Sequence, residues 1–328
     1  MENPPLEPTV LSPQSALPPD PPTEVPTAPE TSVLSIVGRE GLLALATGVG
    51  YLLFWPLVRA ISSGSMAVVA ITTLLSLLLV LLFTVRLARA IRSPRAIAFN
   101  LAGSVLLVLP SILIPLLVGV APSWSGWAGL FPYWQKYSTL FRAVNGLHTL
   151  ALIWMAASLG VAVSRLVREF KLLLPMGAAL AMVDMYAVFG GGLVATAVSG
   201  KSRLAQTAMN ALTVQLPTTH PKSGAAPFPL LIGFADFLFI ALFFACFVRF
   251  GIPARRTFQV LFVTLFLYMA VVFLGDLSLP ALVPIAVVVI GMNWRRFRYE
   301  RSEAFALLYA GLLLSAALAY LIFRSRHG

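Results

Sequence analysis

The chain has 328 residues, of which 59% are hydrophobic and only 11% charged, with a mean hydropathy of +0.90. A soluble fold of that length cannot hide so much apolar surface, so lipid is the expected solvent for most of it. The formal charge of +11 would suggest nucleic acid in a soluble protein. Here the arginines cluster between apolar segments, which makes the charge a topology signal and argues against a nucleic-acid partner.

Residues 1–35 are rich in Pro, Thr and Ser, hold five acids and contain neither Lys nor Arg. Such a segment cannot bury enough surface to offset chain entropy, and a disordered, partly polyproline-like tail is expected. It lacks the basic start and the apolar run of a signal peptide.

Nine apolar segments follow, near 36–58, 66–85, 98–120, 144–164, 172–199, 228–250, 257–275, 280–294 and 304–323. The expected fold is therefore all-α, a polytopic membrane protein with about nine transmembrane helices. It divides into a tail (1–35), a four-span N-terminal bundle (36–171), a core (172–294) and an extra C-terminal span (295–328). Fifteen of the 23 Lys and Arg residues lie at Arg39 and within 86–95, 165–171, 249–256 and 295–301. These positions share one face, so the positive-inside rule predicts a cytoplasmic N-terminus in a multi-pass integral membrane protein.

Cys246 is the single cysteine and sits inside an apolar segment, where packing explains it better than chemistry. The three histidines are scattered and no His-Glu-x-x-His occurs, so a zinc protease fits less well. Gly200-Lys201-Ser202 ends like a phosphate-binding loop, but Ala195 stands where the first glycine is required. No metal and no cofactor is implied.

Two acids stand out. Of the twelve Asp and Glu residues, only Asp184 and Asp236 fall in the middle of apolar segments. An ionised carboxylate is costly in hydrocarbon, so an acid there is by default a functional group with a partner. Asp184 lies twelve residues past Leu172, roughly 18 Å along a helix, and Asp236 eight past Phe228, roughly 12 Å from the opposite face. In a hydrocarbon core of about 30 Å those depths coincide, so antiparallel helices would bring both carboxyls to one level. Two carboxyls in one low-dielectric site share a proton and titrate as a unit. Depth and pairing alone leave three readings open. One is an aspartyl protease, the second proton or cation translocation by a transporter or channel, and the third a structural role.

A further feature is Leu-Ser-Leu-Pro-Ala-Leu-Val-Pro at 277–284, after the seventh segment. The order Val-Asp-x-Tyr, Gly-x-x-Asp, Pro-Ala-Leu resembles the presenilin and signal peptide peptidase family of intramembrane aspartyl proteases. That family pairs a Tyr-Asp aspartate with one in Gly-x-Gly-Asp and places Pro-Ala-Leu at the start of a later helix. The resemblance covers about 172–294. Val183 stands where the family has Tyr, with Tyr186 further on, and Ala235 stands for the second Gly. Four segments precede the first aspartate here where the family usually has five, and one extra follows the Pro-Ala-Leu segment.

The resemblance implies that Asp184 and Asp236 are catalytic and activate water. It implies that Pro280, Ala281 and Leu282, with Gly233 and Tyr186, bind the substrate, a transmembrane helix of a protein or peptide. Carbonyls freed by Pro280 and Pro284 would accept hydrogen bonds from an unwound substrate strand. A catalytically silent relative that only binds helices is a further alternative, given Ala235. Accessory subunits and oligomeric state are not implied either way.

Overall fold

The structure is a computed structural model that describes residues 33–61, 65–118, 138–189, 212–217, 230–275 and 279–327. The N-terminal tail, the Gly190–Gly192 run, the Gly200-Lys201-Ser202 tripeptide and most of the connection between the two acids lie outside those residues. The described residues are mostly helical: α1 (Val33–Ala60), α2 (Met66–Ala90), α3 (Pro94–Val118), α4 (Ser138–Ser164), α5 (Leu173–Phe189), α6 (Phe234–Arg249), α7 (Arg255–Gly275), α8 (Leu282–Asn293) and α9 (Arg301–His327). Five stretches among them are long and apolar enough to cross a membrane: Gly38–Val58, Ala67–Ala90, Gly146–Ser164, Phe170–Phe189 and Arg255–Val272. At 16 and 12 residues, α6 and α8 fall short of the roughly 20 that a hydrocarbon core demands.

The core is built around α6, which lies against α4 and α2. Ten of its sixteen residues are buried, including Phe237, Phe243, Phe244 and Phe247. Glycine makes the α4–α6 approach possible. A Cβ on Gly160 would stand 2.3 Å from the Leu238 carbonyl oxygen and 2.9 Å from Ala241 Cβ, so no larger residue fits without parting the helices. The far end of the pair is fastened by Arg249, whose guanidinium Nη1 donates to the carbonyls of Ser164, Arg165 and Val167 at 3.0, 3.2 and 2.8 Å. Carbonyls ending a helix have no intrahelical donor, and a cation there also meets the negative end of the helix dipole. Cys246, one turn earlier, is fully buried beside the Ser164 carbonyl.

The second layer is looser. Helix α5 packs on α8 and α9, and only Leu173 and Gly177 of its seventeen residues are buried. A Cβ on Gly177 would meet Ile290 Cδ1 at 3.1 Å and Phe243 Cζ at 3.5 Å, so α5 touches both α8 and α6 there. Helix α9 is tied to the start of α5 by the Lys171–Glu303 ion pair and by Tyr299, whose hydroxyl donates to the Lys171 carbonyl at 2.5 Å.

One element departs from the all-helical expectation. Residues 230–233 open the apolar run 228–250 not as helix but as strand. β1 (Thr213–Leu216) and β2 (Leu230–Gly233) pair antiparallel, with Val214 opposite Ile232. Val214, Leu216 and Ile232 are buried, as alternation on a two-sided ribbon requires, and the ribbon leans on α4 and α2. Asp236 is consequently the third residue of its helix rather than a mid-helix acid eight residues in. An extended chain rises about 3.3 Å per residue against about 1.5 Å in a helix, so the strand covers with four residues the depth assigned above to eight.

A candidate aspartate-pair site at two helix starts

Asp236 owes its position to local geometry. In the first turn of α6 its Oδ2 accepts the backbone N–H of Gly233, the residue that caps the helix, at 3.0 Å. This is the return half of a capping box, an acid three residues into a helix reaching back to the cap amide. The close approach explains the glycine, because a Cβ on Gly233 would lie 3.2 Å from that same oxygen. Its φ of −66° and ψ of 144° are open to any residue, so contact rather than backbone freedom is what selects Gly here. Ala235 sits exposed in the helix's first turn.

Asp184 is held from far away in sequence. It projects from the second half of α5, half-buried, and its Oδ2 accepts the backbone N–H of Leu282 at 2.9 Å. Leu282 is the first residue of α8, and a helix's first amides have no intrahelical acceptor. A side chain at the cap position normally fills that need, but Ala281 occupies it and makes no side-chain cap. Asp184 therefore caps α8 from another helix. Pro280 is buried just before the start, and Pro284 sits in the first turn, where its missing N–H costs no bond.

The charge of Asp184 reaches Asp236 electrostatically, and the hydrogen bond of each carboxyl goes to a backbone amide rather than to the other acid. Asp236 is almost fully buried, at 7% exposure. Among the described residues no group of three or more His, Cys, Asp or Glu side chains forms, so two acids make up the acidic content of the site.

Of the expected substrate-binding residues, Gly233 and Leu282 thus touch the aspartates through their amides, and Pro280 and Ala281 precede Leu282 directly. Tyr186 is different. Residues two apart on a helix do not face one another, so Tyr186 leaves α5 on the side away from Asp184. It is half-buried there, and Val183 on the other flank is exposed. A group not picked out by the sequence is Tyr268 of α7, which interacts electrostatically with both aspartates. Its sequence signal is a hydroxyl carried on a mostly apolar helical stripe.

Comparison of the chain with protein-family models, with curated proteins and with solved structures gives no match.

Proposed function

We propose that this chain is an intramembrane aspartyl protease that hydrolyses peptide bonds of transmembrane helices. The observation that supports this most is the Asp184–Leu282 hydrogen bond. Through it an acid on α5 holds the Pro-Ala-Leu segment beside the charge of Asp236, so three stretches separated widely in sequence share one site.

Two carboxyls so close cannot both ionise easily, so the resting pair carries one proton. The ionised member takes a proton from water as the water oxygen adds to the scissile carbonyl carbon. The protonated member gives its proton to the carbonyl oxygen, forming a gem-diol. On collapse the first acid delivers its proton to the departing nitrogen, and the second recovers one from a diol hydroxyl. The C–N bond breaks, and the pair ends with the single proton it began with. Substrate must be unwound for this, and its freed backbone needs partners inside the bilayer. The ribbon and the proline-flanked start of α8 supply non-helical backbone beside both acids.

The proposal includes nine spans, a presenilin-like arrangement and a cytoplasmic N-terminus. With that orientation, substrates with cytoplasmic N-termini are preferred, as in the signal peptide peptidase branch. The test is reconstitution of the purified protein in proteoliposomes with a model transmembrane peptide. Two fragments by mass spectrometry, blocked by a hydroxyl-bearing transition-state isostere, are expected. An intact peptide accompanied by proton flux under a pH gradient would instead make the protein a transporter. Peptide binding without turnover or flux would make it a silent relative.

A further inference from the structure

Tyr268 is half-buried and carries a shielded hydroxyl that the mechanism above leaves unused. Its hydroxyl oxygen is shielded from solvent and has no hydrogen-bond partner among the described residues. A buried hydroxyl without a partner is costly, and a native structure that keeps one calls for an explanation.

Helix geometry brings Tyr268 to the aspartates independently of its charge interactions. Thr257, Leu261 and Leu265 are buried at spacings of four, and Tyr268 continues that stripe three residues on. The stripe faces α8, since α7 and α8 pack together and Asn293 Nδ2 donates to Thr257 Oγ1 at 3.4 Å. That contact pins one end of an antiparallel pair. From it, Tyr268 lies eleven residues along α7 (257 to 268) and Leu282 eleven residues back along α8 (293 to 282). Both intervals are roughly 16 Å at about 1.5 Å per residue. Tyr268 therefore stands level with the Leu282 amide that Asp184 accepts.

We infer that the Tyr268 hydroxyl is a third catalytic group, donating a hydrogen bond to the scissile carbonyl oxygen as that oxygen gains charge. The inference rests on the protease reading. Tyr268 bonds to neither aspartate, so it does not serve to orient them, and its donor remains available to a substrate group. A phenol with an ordinary pKa of about 10 stays protonated at neutral pH and gives up no proton. It adds a second donor beside the protonated aspartate, and a donor fixed in a dry site needs no reorganisation as charge develops. The chemical class recognised is a peptide carbonyl on its way to a tetrahedral oxyanion.

Tyr268→Phe removes the hydroxyl and keeps the ring. Measured on the reconstituted full chain with the model peptide, kcat should fall about 100-fold, the usual loss for one oxyanion donor, with KM within twofold. The hydroxyl-bearing isostere should bind the variant correspondingly more weakly, while uncleavable substrate peptide binds as before. The melting temperature should be unchanged or raised, because an unpaired buried hydroxyl has been removed. A kcat within twofold of wild type overturns the inference and leaves the protease reading intact. A rise in KM with kcat unchanged also overturns it, making Tyr268 part of the substrate groove. A wild-type protein that leaves the peptide whole overturns both.

Discussion

The helices carrying the two aspartates are held in very different ways. Helix α6 is wedged against α4 and α2, locked by Gly160 at one crossing and by Arg249 at the end of α4. Helix α5 has two buried residues and leans on α8 and α9. Asp236 takes its hydrogen bond from three residues away, whereas Asp184 takes its from a residue 98 positions further on. One acid is thus fixed to a rigid wall by local sequence, and the other sits on a thinly packed wall whose position depends on α8. On the protease reading the thin wall is the side that must yield to admit a substrate helix, and tertiary contacts are free to tune it without disturbing Asp236.

That contrast can be attacked by substitution. The greatest damage is expected at the rigid crossing: Gly160→Val puts atoms where the Leu238 carbonyl already stands. It should lower stability by about 3 kcal/mol or more, read as a large drop in melting temperature in detergent. Gly177→Ala on the thin wall presses on the flexible tip of Ile290 at 3.1 Å and meets Phe243 at an ordinary contact of 3.5 Å. It should cost less than about 1 kcal/mol, and equal losses at the two glycines would erase the distinction. Arg249→Met removes the side-chain donor from three carbonyls at and just past the end of α4, of which Ser164 keeps the Val167 N–H. A loss of about 1–3 kcal/mol is expected, with the unfolding midpoint as readout.

Gly233→Ala separates function from stability, because its Cβ would press on Asp236 Oδ2 at 3.2 Å. Cleavage should fall about tenfold, within the sensitivity of catalysis to small misplacements, with the melting temperature nearly unchanged. The least effect is expected for Glu303→Gln. Its ion pair with Lys171 is partly exposed, and pairs of that kind contribute little, so the melting temperature should not move measurably.

Much of this was legible in the sequence. Long apolar runs predict helices because an unpaired backbone cannot be left in lipid, and each of the nine α-helices among the described residues overlaps one expected segment, six running past its bounds and five stretches being long and apolar enough to span. The aspartates stood out because an acid amid apolar residues is expensive. The ribbon was not legible. Residues 228–250 are apolar almost throughout, and a continuous run carries neither the period of a strand nor that of a helix, so the switch at Gly233 left no mark. The partner of Asp184 was hidden for another reason: it is a backbone amide, and every residue but proline carries one. Tyr268 was overlooked because its neighbours on the stripe, Leu261 and Leu265, give it the look of ordinary packing. The level of α7 against α8, fixed by Thr257 and Asn293, sets its height beside Leu282.

The account depends most on the two carboxyls acting as one unit, and kcat for Asp184→Asn, Asp236→Asn and the double variant tests this directly. Groups that work together lose nearly everything when either is removed, so each single variant should fall at least about 10⁴-fold and the double no further. A single variant that keeps cleaving well above the double would contradict the account, because that acid would then be working without the other.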